Sequence, residues 1–198
     1  MDFIEAYSKL SPEADGIVSI HLSSKLSGTY NSAIQGREML ETKCPIEVID
    51  SQLISAGLSL LDIMAATMAK AGEGLQQVRN AVEQAIPNTY LLALFDTLKY
   101  LQLGGRIGKA KALLGSILNV KPMITLKDGE VVPGGQVRTR AKGIERLVDF
   151  AKSASNLEDV VVGYSTTPDE AQSLAKQLSA ISTKEPIKIV RLGTTLGV

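Results

Sequence analysis

The chain is 198 residues long, 44% hydrophobic and 21% charged, and its 21 Lys and Arg balance 21 Asp and Glu. A single domain of this size buries about 70% of the surface of its unfolded chain, and hydrophobic content without net charge excludes disorder. The missing basic excess speaks against a general nucleic-acid or anionic-membrane surface.

One cysteine, Cys44, excludes a disulfide framework and every multi-cysteine metal or haem pattern. One histidine, His21, excludes a His-rich metal site. Asp2 and Glu5 stand where a secretory leader would be basic. No stretch reaches the roughly 18 uninterrupted apolar residues of a membrane span. The expectation is a reduced, cytoplasmic protein without a transmembrane segment.

Apolar spacing predicts a helix over residues 2–10, ended by Ser11-Pro12, then a buried strand over 16–22. Residues 23–29 are loop chemistry, with Ser27 as the expected N-cap of a helix over 29–41. A strand over 46–49 leads through Asp50-Ser51 into a helix over 55–71, closed by Gly72, and a second over 75–86, closed by Pro87. This alternation favours a parallel sheet with helices on its faces. Beyond residue 88 the pattern changes. A strand over 89–95 precedes short helices over 97–103 and 109–118. Strands over 121–126 and 130–137 flank Lys127-Asp128-Gly129, a hairpin signal. A helix over 139–153, a strand over 160–164, a helix over 168–181 and a strand over 187–192 follow. The expected division is an α/β part over 1–88 and an α+β part with a mixed sheet over 89–198.

Ser23-Ser24-Lys25-Leu26-Ser27-Gly28-Thr29-Tyr30 is the most informative stretch. It joins the C-terminal end of a strand to the start of a helix, where ligands of open α/β sheets bind. A helix N-terminus offers unpaired N–H groups and the positive end of its dipole, which suits an anion. Capping and turn formation by Ser and Gly explain the same residues. Leu103-Gly104-Gly105-Arg106-Ile107 places a permanent cation after two glycines, or is a helix end followed by an exposed Arg. Gln136-Val137-Arg138-Thr139-Arg140 is a third cationic cluster that reads rather as the solvated end of the hairpin, and Asp50 and Asp96 are helix caps or site carboxylates, with capping the preferred reading. No serine has a base close in sequence, and His21 reads as a packed or edge-exposed strand residue. Cys44 is an ordinary thiol, and no metal site is visible. The apolar segments 53–58 and 112–118 are core, or line an apolar pocket.

Taken together, Ser23 to Ala33, Asp50-Ser51, Asp96-Thr97-Leu98-Lys99-Tyr100-Leu101 with Gly104-Gly105-Arg106-Ile107, residues 114–122, Asp128-Gly129 and Val137-Arg138-Thr139 follow one another in a characteristic order. They resemble the motifs of the DegV family of bacterial fatty-acid-binding proteins, across almost the whole chain. The resemblance implies two α/β domains with a long-chain fatty acid, such as palmitate or oleate, held between them. It also implies a carrier role, presenting the carboxylate to a fatty acid kinase catalytic subunit that uses ATP, with no catalysis and no cofactor in the carrier itself. The ligand-binding residues it implies are Ser23, Ser24, Ser27, Gly28, Thr29 and Arg106, with Arg106 serving the head group or the partner surface. The family's opening strand, its threonine-serine loop and its His-x-Gly-Pro-Gly loop have no counterpart here. The expectation is therefore an incomplete N-terminal domain, less stable than a longer relative, which self-associates or binds lipid poorly.

Two other readings compete. One is a small-molecule enzyme that uses the hydroxyl loop as an oxyanion or phosphate site. The other is a DNA-binding regulator, against which the balanced charge speaks.

Overall fold

The computed structural model describes residues 3–115, 120–154, 157–183 and 186–193. The chain forms two compact units, Met1–Thr89 and Tyr90–Val198. The expected helix over 109–118 and motif over 114–122 run partly into residues outside the described set.

In the first unit, helix α1 (Phe3–Leu10) precedes strand β1 (Ile17–His21), helix α2 (Thr29–Met39), strand β2 (Ile46–Asp50) and helices α3 (Ser55–Lys70) and α4 (Leu75–Ala85). β1 and β2 pair in parallel from Ile17 opposite Ile46 to His21 opposite Asp50, so both strands end level. Parallel pairing needs a crossover element, and α2 supplies it. The crossover packs tightly on α1: a Cβ at Gly36 would lie 2.6 Å from that of Phe3. On α4 the buried Val78 and Val82 stand four residues apart and form the core-facing stripe. α3 buries Leu61 and Ala65 in the same way. A 3-10 turn, Ile86–Asn88, closes the unit. Thr89 Oγ1 donates to the Ala85 carbonyl at 2.9 Å.

The second unit contains both parallel and antiparallel pairings. β3 (Leu92–Leu94), β4 (Lys121–Lys127) and β5 (Glu130–Val137) form an antiparallel sheet in that order. Asp128 and Gly129 both adopt positive φ, 50° and 78°, as a two-residue hairpin turn whose twist matches the strands requires. Helix α5 (Lys99–Leu103) and a 3-10 turn (Gly108–Leu113) lie between β3 and β4. Helix α6 (Arg140–Ser153) follows β5, capped by Thr139 Oγ1, which accepts the Lys142 N–H at 3.2 Å. Strand β6 (Val161–Tyr164), helix α7 (Pro168–Leu178) and strand β7 (Lys188–Arg191) complete it, with β6 and β7 parallel. Val148, Val162, Ala171, Leu174, Ala175, Leu178 and Ile187 form the core here.

Several elements are shorter than their apolar runs. The strand over 89–95 contracts to Leu92–Leu94, because Thr89 closes the preceding turn and Tyr90 faces solvent. The helix over 97–103 begins at Lys99, because Thr97 Oγ1 accepts the Lys99 N–H in a local turn. The helix over 109–118 is a 3-10 turn where it is described, entered through Gly108 at φ 51°. A Cβ at Gly108 would lie 2.5 Å from the Val131 carbonyl oxygen of β5, so this glycine sets how closely the turn packs on the hairpin.

Gly105 is the natural control for Gly108. It too has positive φ, 72°, but a Cβ there would meet nothing within 4 Å. Gly105→Ala should cost about 1–2 kcal/mol, the penalty of a left-handed L-residue. Gly108→Ala adds a backbone clash and should cost clearly more. Urea midpoints of the two variants check this, with equal losses contradicting the packing argument.

Candidate functional site

The candidate site is built on the level ends of β1 and β2. Ser23 is fully buried and acts as the hub of the loop after β1. Its N–H donates to the Leu53 carbonyl at 2.9 Å, and its carbonyl accepts the Leu26 and Ser27 N–H groups at 3.0 and 3.1 Å. Its Oγ accepts the Lys25 N–H at 3.3 Å. Ser24 is tied to β2: its N–H donates to Asp50 Oδ1 at 3.2 Å and its hydroxyl to Asp50 Oδ2 at 2.5 Å. Gln52, in the next loop, donates its N–H to Asp50 Oδ1 at 3.0 Å. One carboxylate thus clamps the two strand-end loops together.

Asp50 is therefore no helix cap, since α3 begins after Ile54. Ser51 is fully buried, its N–H donating to the His21 carbonyl at 3.0 Å and its Oγ accepting the Leu53 N–H at 3.1 Å. Gln52 and Ser55 hold left-handed φ, 54° and 55°, in the short connection to α3. Such conformations persist only where surrounding bonds over-determine them. Sequence reading missed this clamp. Its one visible signal was Asp-Ser directly after a strand.

The expected cap at Ser27 lies one residue too early. Gly28 is the N-cap of α2 and makes no side-chain cap. Ser27 Oγ instead accepts the Thr29 N–H at 3.3 Å and shares a 2.7 Å hydrogen bond with Thr29 Oγ1. Two hydroxyls bring two protons, and their mutual bond uses one. A Cβ at Gly28 would meet nothing within 4 Å, so the start of α2 opens onto space. The first turn carries no acidic residue. The positive end of the helix dipole is left uncompensated by its own sequence.

His21 closes β1 and is buried. Tyr7 of α1 donates its hydroxyl to Ser19 Oγ at 2.8 Å, and Ser19 Oγ lies 2.8 Å from His21 Nε2. Ser19 Oγ carries two lone pairs and one proton, so it can meet Nε2 as donor or acceptor according to the imidazole tautomer. The Phe3 ring meets the imidazole edge-on at 5.2 Å. Burial lowers the His21 pKa, and the Asp50 charge works against that shift. The same burial raises the Tyr7 phenol, opposed by the Ser19 bond and by Arg37.

Arg106 belongs to the second unit. Its exposed guanidinium turns back to donate through Nη1 to the Gly104 carbonyl at 2.5 Å. Asp96 is no cap either. It accepts from Lys121 at 2.9 Å, with Arg140 at 3.6 Å, and the Lys121 bond holds its carboxyl below the usual range. Arg140 also donates through Nε to Glu170 at 2.6 Å and through Nη2 to Thr167 at 3.2 Å. The cationic end of the hairpin, read as solvated, therefore anchors α6 to the start of α7. Among the described residues, no three His, Cys, Asp or Glu side chains gather as a metal site. Among them too, no helix is long and apolar enough to cross a membrane.

The whole chain, residues 1–198, matches the family described as "Uncharacterised protein, DegV family". The chain belongs to the DegV family. A DegV domain-containing protein of Streptomyces coelicolor is 38% identical over 179 residues, covering 89% of this chain and 63% of that protein. One of Caldanaerobacter subterraneus is 38% identical over 153 residues, covering 77% and 54%. The chain thus spans less than two thirds of the length of these relatives. Among solved structures, a fatty-acid-binding DegV family protein of Thermus thermophilus superposes with a TM-score of 0.87 at 29% identity, over 98% of this chain and 70% of that one. A DegV family protein of Corynebacterium glutamicum shares the fold, with a TM-score of 0.86 at 22% identity, over 98% and 75%.

This DegV chain has a single histidine, so its stability near neutral pH reports on His21. The folded imidazole titrates below its ordinary 6.5, so the unfolded chain takes up the proton first as pH falls. His21 therefore contributes stability that is complete above about pH 6.5 and is lost as pH falls towards the folded value. Asp62, whose carboxyl is raised by desolvation, acts in the opposite sense at lower pH. Melting temperature should fall between pH 7.5 and 5.5, and His21→Gln should flatten that slope. An unchanged slope in the variant would remove His21 from the account.

Proposed function

We propose that this chain binds a long-chain fatty acid such as palmitate or oleate, with its carboxyl head at the loop after β1 and the start of α2. The observation that carries this is the uncompensated, open N-terminus of α2 behind Gly28, beside the hydroxyls of Ser24, Ser27 and Thr29. Membership of the DegV family and the 29% identical fatty-acid-binding structure supply the ligand class. Ser23 shapes this loop from inside rather than touching the head group, since it is fully buried. Arg106 serves the head group or a partner-facing surface.

The role proposed is that of a cytoplasmic carrier without cofactor or catalysis of its own. It presents the acyl carboxylate to the catalytic subunit of a fatty acid kinase. The same hydroxyl loop would suit a phosphate-binding enzyme, and the test separates the two.

Native mass spectrometry after bacterial expression should show a co-purified fatty acid. A bound nucleotide or sugar phosphate would replace the carrier reading with the enzyme reading. Ser27→Ala combined with Thr29→Val removes the donor left by their shared bond. A hydrogen bond contributes about 0.5–1.5 kcal/mol net, so affinity should fall by roughly twofold to tenfold with little change in melting temperature. Ser23→Ala should do the reverse, lowering stability more than affinity. Titration with a fluorescent fatty acid, alongside thermal melts, checks both.

A further inference from the structure

The Ser24–Asp50 contact decides which way protons point at this loop. A serine hydroxyl carries one proton and two lone pairs, and an ionised carboxylate only accepts. The Ser24 proton goes to Asp50 Oδ2 at 2.5 Å, while the Ser24 and Gln52 N–H groups take Oδ1 at 3.2 and 3.0 Å. Three donors from two loops fix the carboxylate, and the charge-assisted bond fixes the hydroxyl in turn. What Ser24 Oγ has left to offer a ligand is lone pairs. The titratable group opposite Asp50 on β1 is His21, whose burial disfavours the charged imidazolium that would offset the Asp50 charge.

We infer that Asp50 is a positioning residue that makes Ser24 an acceptor, so that the head group taken at this loop must bring a hydrogen-bond donor of its own. The inference rests on the fatty-acid reading and specifies the form of the ligand. The fatty acid is held as its protonated acid. Its O–H is donated to Ser24 Oγ, and its C=O is met by the Ser27–Thr29 hydroxyl pair and the N–H groups of the first turn of α2. A bare carboxylate would bring a second negative charge beside Asp50, and like charges sharing a site favour retention of a proton.

The test uses three ligands with one tail: dodecanoic acid, 1-dodecanol and methyl dodecanoate. The alcohol donates a hydrogen bond and the ester does not. The unmodified protein should bind the alcohol about tenfold more tightly than the ester, the scale of one hydrogen bond. In Asp50→Asn the introduced amide donates to Ser24 Oγ and releases the serine proton. The alcohol preference should then disappear, and dodecanoate at pH 8 should gain on the alcohol. Ser24→Ala should remove the preference without that gain, and any steric penalty of the ester methyl would persist there. If Asp50→Asn does not fold, the unmodified protein and Ser24→Ala still decide. Equal affinity for alcohol and ester in the unmodified protein overturns the inference. So does an equal loss for all three ligands in Asp50→Asn with the preference intact. Binding of none of the three overturns the fatty-acid reading and this inference together, whereas tight binding of the acid with the wrong preference overturns this inference alone.

Discussion

The candidate site depends on one pairing: β1 and β2 run parallel and stop together, with His21 opposite Asp50. That register brings the Asp50 carboxylate level with the loop that leaves β1. From there it takes both polar hydrogens of Ser24 and one of Gln52. A slip of one residue would turn every side chain of the strand to its other face, and Asp50 would no longer reach the loop. The buried serines on either side then fix the backbone. Ser23 and Ser51 both hydrogen-bond to neighbouring main chain.

The same strands tie the site to α1. His21 ends a hydrogen-bonded chain that starts at Tyr7, and Phe3 covers the imidazole edge. The helix is held against α2 by the close approach at Gly36. α2 in turn presents its open N-terminus at the loop. Packing on one face of the sheet and the candidate site at its edge are therefore one structure: a disturbance at α1 reaches the loop after β1 through β1 or through α2.

In the second unit, charge does a comparable job at the surface. Asp96 after β3, Lys121 at the start of β4, Arg140 at the start of α6 and Glu170 in the first turn of α7 form a continuous ion-pair network. Exposed pairs taken singly contribute little, but this set links the loop after β3 to β4, α6 and α7. Gly108 allows the turn before β4 to lie on the backbone of β5.

Much of this was legible in the chain itself. Apolar runs bounded by Gly, Pro and Asp-Gly marked the strands and helices, because burial and turn chemistry are local demands. The motif order around Ser23, Asp50 and Gly104 identified the family. The ends of elements were less legible. Thr89, Thr97 and Gly108 each end or delay a regular element through a bond or contact that periodicity does not encode. The polarity of the site was hidden altogether. Sequence alone determined that hydroxyls and a helix start would meet at a strand end. Only the tertiary structure decided which hydroxyl keeps a proton to donate. Asp50 lies 26 residues from Ser24, and their hydrogen bond exists only because two parallel strands end at the same level.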